Sequence, residues 1–280
     1  MLGDSKLKPG LRLGGKYEVI DTLGQGAMGS VFRAIQHPIG RHVALKVLHP
    51  EVAAGLALRF DREARAISQL HHPNTITLID YGTDDDGKLF MATELLSGEP
   101  LDQILANQRR LPPQRVIRIA RQIAAALAEA HAKGVLHRDI KPSNIFISDI
   151  AEDHVKVLDF GIAKLLDTEA AKLTRVGFIC GTPEYMPPEQ SMDGKLDGRS
   201  DLYALGVMMW EMLQGRLPYR SGSPLNTVTK HQTAPIPPLH ARVPLTLGRI
   251  RLQGHEQIAR GPSAQRGGLH RRARGRRRRH

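Results

Sequence analysis

The residues best placed to do chemistry lie in one short string, His137-Arg138-Asp139-Ile140-Lys141-Pro142-Ser143-Asn144. Within six residues it offers a base in Asp139, a cation in Lys141 and a metal-directed amide in Asn144. That combination suits transfer of a highly charged group such as a phosphoryl, where positioning and charge stabilisation dominate. The flanks are apolar: Val116, Ile119, Ile123 and Leu127 repeat at helical spacing before it, and Ile145-Phe146-Ile147 reads as a strand after it. So polar a knot between a helix and a strand needs a functional reason.

A second candidate lies upstream. Residues 17–21 read as a strand, broken by Leu23-Gly24-Gln25-Gly26-Ala27-Met28-Gly29-Ser30-Val31. Gly24, Gly26 and Gly29 would let the backbone turn tightly and approach phosphates through its N–H groups. The spacing alone is weak, since dinucleotide sites and ordinary turns share it. A dinucleotide fold places a helix directly after the glycines, whereas Val31-Phe32-Arg33-Ala34 continues as a strand and makes a hairpin. In the next strand Val43, Leu45 and Val47 share one face and Ala44 and Lys46 the other. A small residue beside a cation suits a flat base with phosphates beyond it, although a lone strand lysine is more often simply solvated. Leu56, Phe60, Ile67 and Leu70 then form a helical stripe that includes Glu63. A carboxylate facing a core is costly unless paired, and Lys46 is the available partner.

These strings, in this order, resemble the bacterial eukaryotic-type (Hanks-type) serine/threonine protein kinases over roughly residues 17–244. The resemblance implies a two-lobed α+β fold: a 1–16 extension, a small β-rich N-lobe at 17–96 and a larger helical C-lobe at 97–244 that lacks its last helices. It implies transfer of the ATP γ-phosphoryl, with Mg2+, to serine or threonine hydroxyls of proteins. Asp139 would accept or orient the substrate hydroxyl, and Lys141 would steady the transferred group. Asp159 of Asp159-Phe160-Gly161 would hold magnesium, with Asn144 supporting a second metal site. Lys46 and Glu63 would form the ion pair of the active state. The nucleotide would meet Leu23, Gly24, Gly26, Gly29, Val31 and Ala44, with the backbone of a hinge at Glu94-Leu95-Leu96 reading adenine and Thr93 as gatekeeper. His137 would pack under Phe160 and is not a base.

Residues 159–189 resemble an activation segment. It closes on Gly181-Thr182-Pro183-Glu184-Tyr185-Met186-Pro187-Pro188-Glu189, where Pro187 replaces the family's usual Ala or Ser. Lys141 with Thr182 is the serine/threonine rather than the tyrosine pattern. Arg138 beside Asp139 implies control by a phosphothreonine on this segment; Thr174 is the best-placed acceptor and Thr168 the second.

The elements that must position these groups follow from periodicity. Strands are expected at 75–81 and 89–95, joined by the turn Asp84-Asp85-Asp86-Gly87, which lacks the ligand spacing of a calcium loop. Helices are expected at 101–108 and 115–133, and a strand at 155–158. The run from Ser200 to Trp210 is apolar all round, hence buried, and Asp201 at its start is expected to cap its backbone N–H groups; the resemblance implies that Asp201 also braces the loop around Asp139.

Composition bounds the rest. The single Cys180 among 280 residues excludes a disulfide framework and fits a reducing compartment. No apolar run approaches the roughly 20 residues of a membrane helix, and the first residues lack an apolar signal core, so a cytoplasmic location is expected. The net charge of +12 is concentrated in residues 241–280, which carry 12 Arg, no Lys and one Glu, a net of +11. The body is therefore nearly neutral, and no nucleic-acid partner is expected for it. Residues 245–280 lack apolar periodicity and are expected to be disordered. Arginine without lysine there reads like a shifted frame in GC-rich DNA, with an anion-binding arm and an unrecognised tail as the other readings. Glu189 would then lack the Arg that the family supplies, and the helix after Asp201 would lack two covering helices. Expected partners are protein substrates and a second copy for trans-autophosphorylation. The alternative function is an inert nucleotide-binding fragment.

Overall fold

Strand alternation builds the first sheet. In the computed structural model, which describes residues 7–26, 29–50, 57–160, 182–192, 194 and 196–239, β1 (Arg12–Leu13), β2 (Tyr17–Gly26), β3 (Gly29–Gln36), β4 (Arg41–Leu48), β5 (Leu78–Thr83) and β6 (Leu89–Glu94) form one antiparallel sheet. Its order is β1-β2-β3-β4-β6-β5. Val43, Leu45 and Val47 bury one face with Tyr17, Val19, Phe32 and Ala34. The opposite face carries a cross-strand row set by register: Gly24 opposite Val31, Val31 opposite Lys46, Lys46 opposite Met91, and Ala44 opposite Thr93. Period two thus places Val31, Ala44, Lys46, Met91 and Thr93 on one surface.

Helix α1 (Ala57–Ser68) turns Phe60, Ala64 and Ile67 inward, and Phe60 meets Tyr81 of β5 edge-on. After Glu94 the chain leaves the sheet, forms β7 (Gly98–Pro100) and enters the helical lobe through α2 (Leu101–Gln108) and α3 (Pro113–Ala132). The α3 stripe Val116, Ile119, Ile123, Leu127 and Ala130 is fully buried, as its spacing requires. β8 (Ile145–Ser148) and β9 (His154–Val157) join β7 in a second, three-stranded sheet that floors the space between the lobes. Helix α4 (Gly198–Gln214) packs beside α3, and α5 (Pro224–Thr233) follows with Ser223 accepting from Asn226 N–H. The larger apolar core runs from α1 through α3 to α4, so the two lobes share it.

Three expectations about elements need correction. The strand expected at 75–81 begins only at Leu78, because residues 74–76 cross to the other lobe: Ile76 N–H donates to Val157 O and Val157 N–H to Asn74 O. The N-cap of α4 is Asp197, which accepts from Arg199 N–H, and not Asp201, which lies one turn inside. Finally, α4 is already covered along its length. Ala204, Leu205, Met208, Met212 and Leu213 sit in the shared core, and among its described apolar residues only Leu202 is strongly exposed, at 47%. Glu189 also has a partner, since Ser200 Oγ donates to its carboxylate at 2.6 Å. Residues 241–280, together with Thr168, Thr174 and Gly161, lie outside the described residues.

Candidate active site

The loop from His137 to Asn144 is held from three sides. Asp201, buried inside α4, accepts from the backbone N–H groups of His137 and Arg138 at 2.9 and 2.8 Å and pairs with His131 at 2.7 Å. Burial opposes its charge, yet the His131 side chain and these two N–H groups outweigh burial and hold the carboxyl below the usual carboxylate range. The bracing expected of Asp201 is therefore present even though the capping is not. Arg138 adopts a left-handed φ of 67° at this point, a conformation that the two Asp201 bonds help to fix. His137 is fully buried, its ring 4.8 Å from that of Phe160. Its Nε2 contacts Leu158 O at 2.7 Å and its Nδ1 accepts from Asp139 N–H. That pattern needs the neutral Nε2–H tautomer and leaves no ring nitrogen for proton transfer.

The three polar groups converge. Asn144 Nδ2 donates to Asp139 O at 2.7 Å and to Asp139 Oδ2 at 3.1 Å. Lys141 Nζ lies 2.7 Å from the same Oδ2 and donates to Thr182 Oγ1 at 2.9 Å. A short 3-10 turn, Pro142–Asn144, brings Asn144 back onto Asp139. Leu158 N–H closes the floor on Asn144 O at 2.9 Å.

Asp159 follows immediately, with a left-handed φ of 54° that turns its carboxylate up between the lobes. Its Oδ2 receives Lys46 Nζ at 2.6 Å. Burial again works against ionisation, but the Lys46 ammonium first, and then that of Lys141, hold this carboxyl below the ordinary value. The Asp159 side chain still keeps 40% of its surface open, so an ionised oxygen faces the cleft.

The cleft between the sheets has a volume of about 470 Å3. Leu23, Gly24, Val31, Ala44 and Lys46 line it from above, Thr93, Glu94 and Leu96 along the connection between lobes, and Asp159 at its inner end. Gly26, Gly29, Glu63, Asp139, Lys141 and Asn144 do not line it. Gly29 is required for another reason: a Cβ there would stand 2.2 Å from Val47 O, so this glycine serves the β3–β4 approach. Glu63 is buried, 8% exposed, on the inner stripe of α1 as its spacing demanded. The expected Lys46–Glu63 pair is replaced by Lys46–Asp159, because the turned carboxylate of Asp159 lies within reach of the long lysine stem. Glu94 lines the cleft while its carboxylate is engaged by the fold, accepting from Thr77 N–H and Lys156.

Several cleft residues were not found from sequence. Phe146 and Leu158 line it, and Met91 extends the row of Lys46. Phe146 was available from period two, since buried Ile145 and Ile147 leave it facing the other way. Among the described residues no cluster of three or more His, Cys, Asp or Glu could enclose a metal, and no helix is long and apolar enough to cross a membrane.

Comparison with known proteins agrees with this geometry. The family model described as "Protein kinase domain" matches residues 17–244. The chain is 47% identical over 235 residues to the serine/threonine-protein kinase pkn3 of Myxococcus xanthus, covering 82% of this chain and 43% of that protein. It is 37% identical over 241 residues to the serine/threonine-protein kinase PknA of Mycobacterium tuberculosis, covering 84% and 55%. It thus spans about half the length of these relatives or less. Among solved structures, the kinase domain of Mycobacterium tuberculosis PknI superposes with a TM-score of 0.69 at 28% identity, covering 90% of this chain and 91% of that one. A match over residues 17–244, on a fold with this cleft and this loop, places the chain in the protein kinase domain family, among the bacterial Hanks-type serine/threonine kinases.

Proposed function

We propose that this chain transfers the γ-phosphoryl of ATP to serine or threonine hydroxyls of protein substrates in the bacterial cytoplasm. The observation that carries the reading is the bonded set Asp139–Asn144–Lys141, set beside a cleft whose inner end is the Lys46–Asp159 pair. In this reading Lys46 aligns phosphates, Asp139 orients the acceptor hydroxyl and takes its proton, and Lys141 neutralises charge on the group in flight. Leu23, Val31 and Ala44 enclose the base, and the hinge backbone at Leu96 reads it. Gly24, where an added Cβ meets nothing within 4 Å, and Gly26, where it meets only Gly29 O at 3.9 Å, keep the lid over the phosphates thin.

The residues suit Mg2+. It binds through one or two protein oxygens plus substrate phosphates, and here an ionised, open Asp159 carboxylate and the Oδ1 of Asn144, whose amide nitrogen is already engaged, are the available donors. The ion would supply charge neutralisation across the phosphates. Arg138 and Thr182 flank Asp139 and Lys141, and Thr174 is the proposed regulatory phosphoacceptor. Mass spectrometry of a fully active protein with Thr174 unmodified would remove that last assignment.

The site assignment is tested by nucleotide titration with and without Mg2+. Asp159→Asn should abolish the gain in ADP affinity that Mg2+ gives the native chain. An equal gain in both proteins would remove Asp159 from the metal site.

A further inference from the structure

Lys156 is an oddity of β9. It stands between two fully buried valines, Val155 and Val157, and is itself only 7% exposed. An ammonium in a strand interior is costly unless it is bonded, and a neutral residue would serve the fold. Its Nζ donates to Glu94 Oε1 at 2.7 Å and reaches Thr75 O at 3.4 Å. The same Oε1 accepts from Thr77 N–H at 2.8 Å, and Glu94 N–H returns a bond to Thr77 O at 3.1 Å. Residues 74–76 are in turn stitched to Val157 by two backbone bonds. The carboxyl of Glu94 is held below its usual range because Lys156 and Thr77 together outweigh burial.

The pair occupies a telling position. Glu94 closes β6 two residues before Leu96, at the base-reading end of the cleft, and Lys156 precedes Asp159, at its metal end, by three residues. Glu94, Leu96 and Asp159 all line the cleft. We propose that the Lys156–Glu94 pair is a latch between lobes that fixes the hinge relative to Asp159 and so sets affinity for the Mg2+-nucleotide, more than the rate of transfer. Both are positioning residues whose linked atoms need not touch the nucleotide. The proposal rests on the nucleotide-cleft reading above.

Lys156→Met alone leaves the half-buried Glu94 carboxylate without its cation and risks misfolding. The informative variant is Lys156→Met/Glu94→Gln, which removes both charges at similar size; Lys156→Arg keeps the tie. The readouts are KM for ATP, KM for a basic protein substrate, kcat, Kd for Mg2+-ADP and the melting midpoint. The double variant should raise KM for ATP and Kd for Mg2+-ADP at least fivefold more than it lowers kcat, with KM for the protein substrate unmoved. Lys156→Arg should recover most of that affinity. Should the double variant melt below the assay temperature, Lys156→Gln, which keeps a donor without charge, must show the same bias toward KM. Native KM and Kd in a folded double variant, or a lower midpoint with a loss in kcat alone, would overturn the latch. A native chain that binds Mg2+-ADP but transfers no phosphate removes the kinase reading while Kd still judges the latch; one that binds no Mg2+-ADP removes both.

Discussion

At the scale of single residues, Asp201 is the group on which the loop's geometry depends. Removing one partner of a buried charged pair typically costs about 3–5 kcal/mol, and about 1 kcal/mol shifts the midpoint of a domain this size by roughly 2–4 °C. Asp201→Asn should therefore melt at least about 6 °C below the native chain near neutral pH. Because the folded pKa of Asp201 is depressed, its contribution is present above the ordinary carboxylate value of about 3.9 and fades as pH falls through the lower folded value. The gap between native and variant midpoints should accordingly close only in acid; a gap already absent at neutral pH would contradict the bracing role. What was legible at this scale was local. Asp139, Lys141 and Asn144 share one loop, so neighbours in sequence are neighbours in space. Lys46 and Asp159 stand 113 positions apart, and their contact depends on the positive φ of Asp159, for which the sequence carries no signal. Helical spacing put Glu63 inside but could not say which carboxylate Lys46 would reach.

At the scale of elements, the glycine loop divides into two kinds of position. A Cβ at Gly29 collides with Val47 O at 2.2 Å, whereas one at Gly24 meets nothing within 4 Å. Gly29→Ala should lower the melting midpoint by several degrees through forced separation of β3 and β4. Gly24→Ala should leave it within about 1 °C, any effect falling on nucleotide affinity. Equal midpoints for the two variants would sink this division. Period two read β3 and β4 correctly, including the shared face of Ala44 and Lys46, because side-chain alternation is a local rule. It failed at residues 75–76, where a β-like composition is spent on pairing with β9 in the other lobe. That choice belongs to tertiary contact, not to propensity. The same limit hid Lys156, whose partner Glu94 lies 62 positions away.

At the scale of the molecule, one core runs through both lobes and the cleft opens where their sheets face each other. The two-lobed α+β architecture was legible because its motifs occur in a fixed order along the chain, each on the element that its periodicity predicts. The covering of α4 was not, since Ser200 meets Glu189 and the α3 stripe meets α4 only once the helices have packed. The central claim is that this assembly moves phosphate. Its most direct test is transfer of labelled γ-phosphate from Mg2+-ATP to a generic basic protein by the purified chain and by Asp139→Asn, with label traced to individual residues. A general base contributes on the order of 10²–10⁴-fold. Label is expected on serine or threonine with the native chain, and a rate lower by at least about a hundredfold with Asp139→Asn. Undiminished transfer by Asp139→Asn, or no transfer by a folded native chain that binds ATP, would contradict that claim.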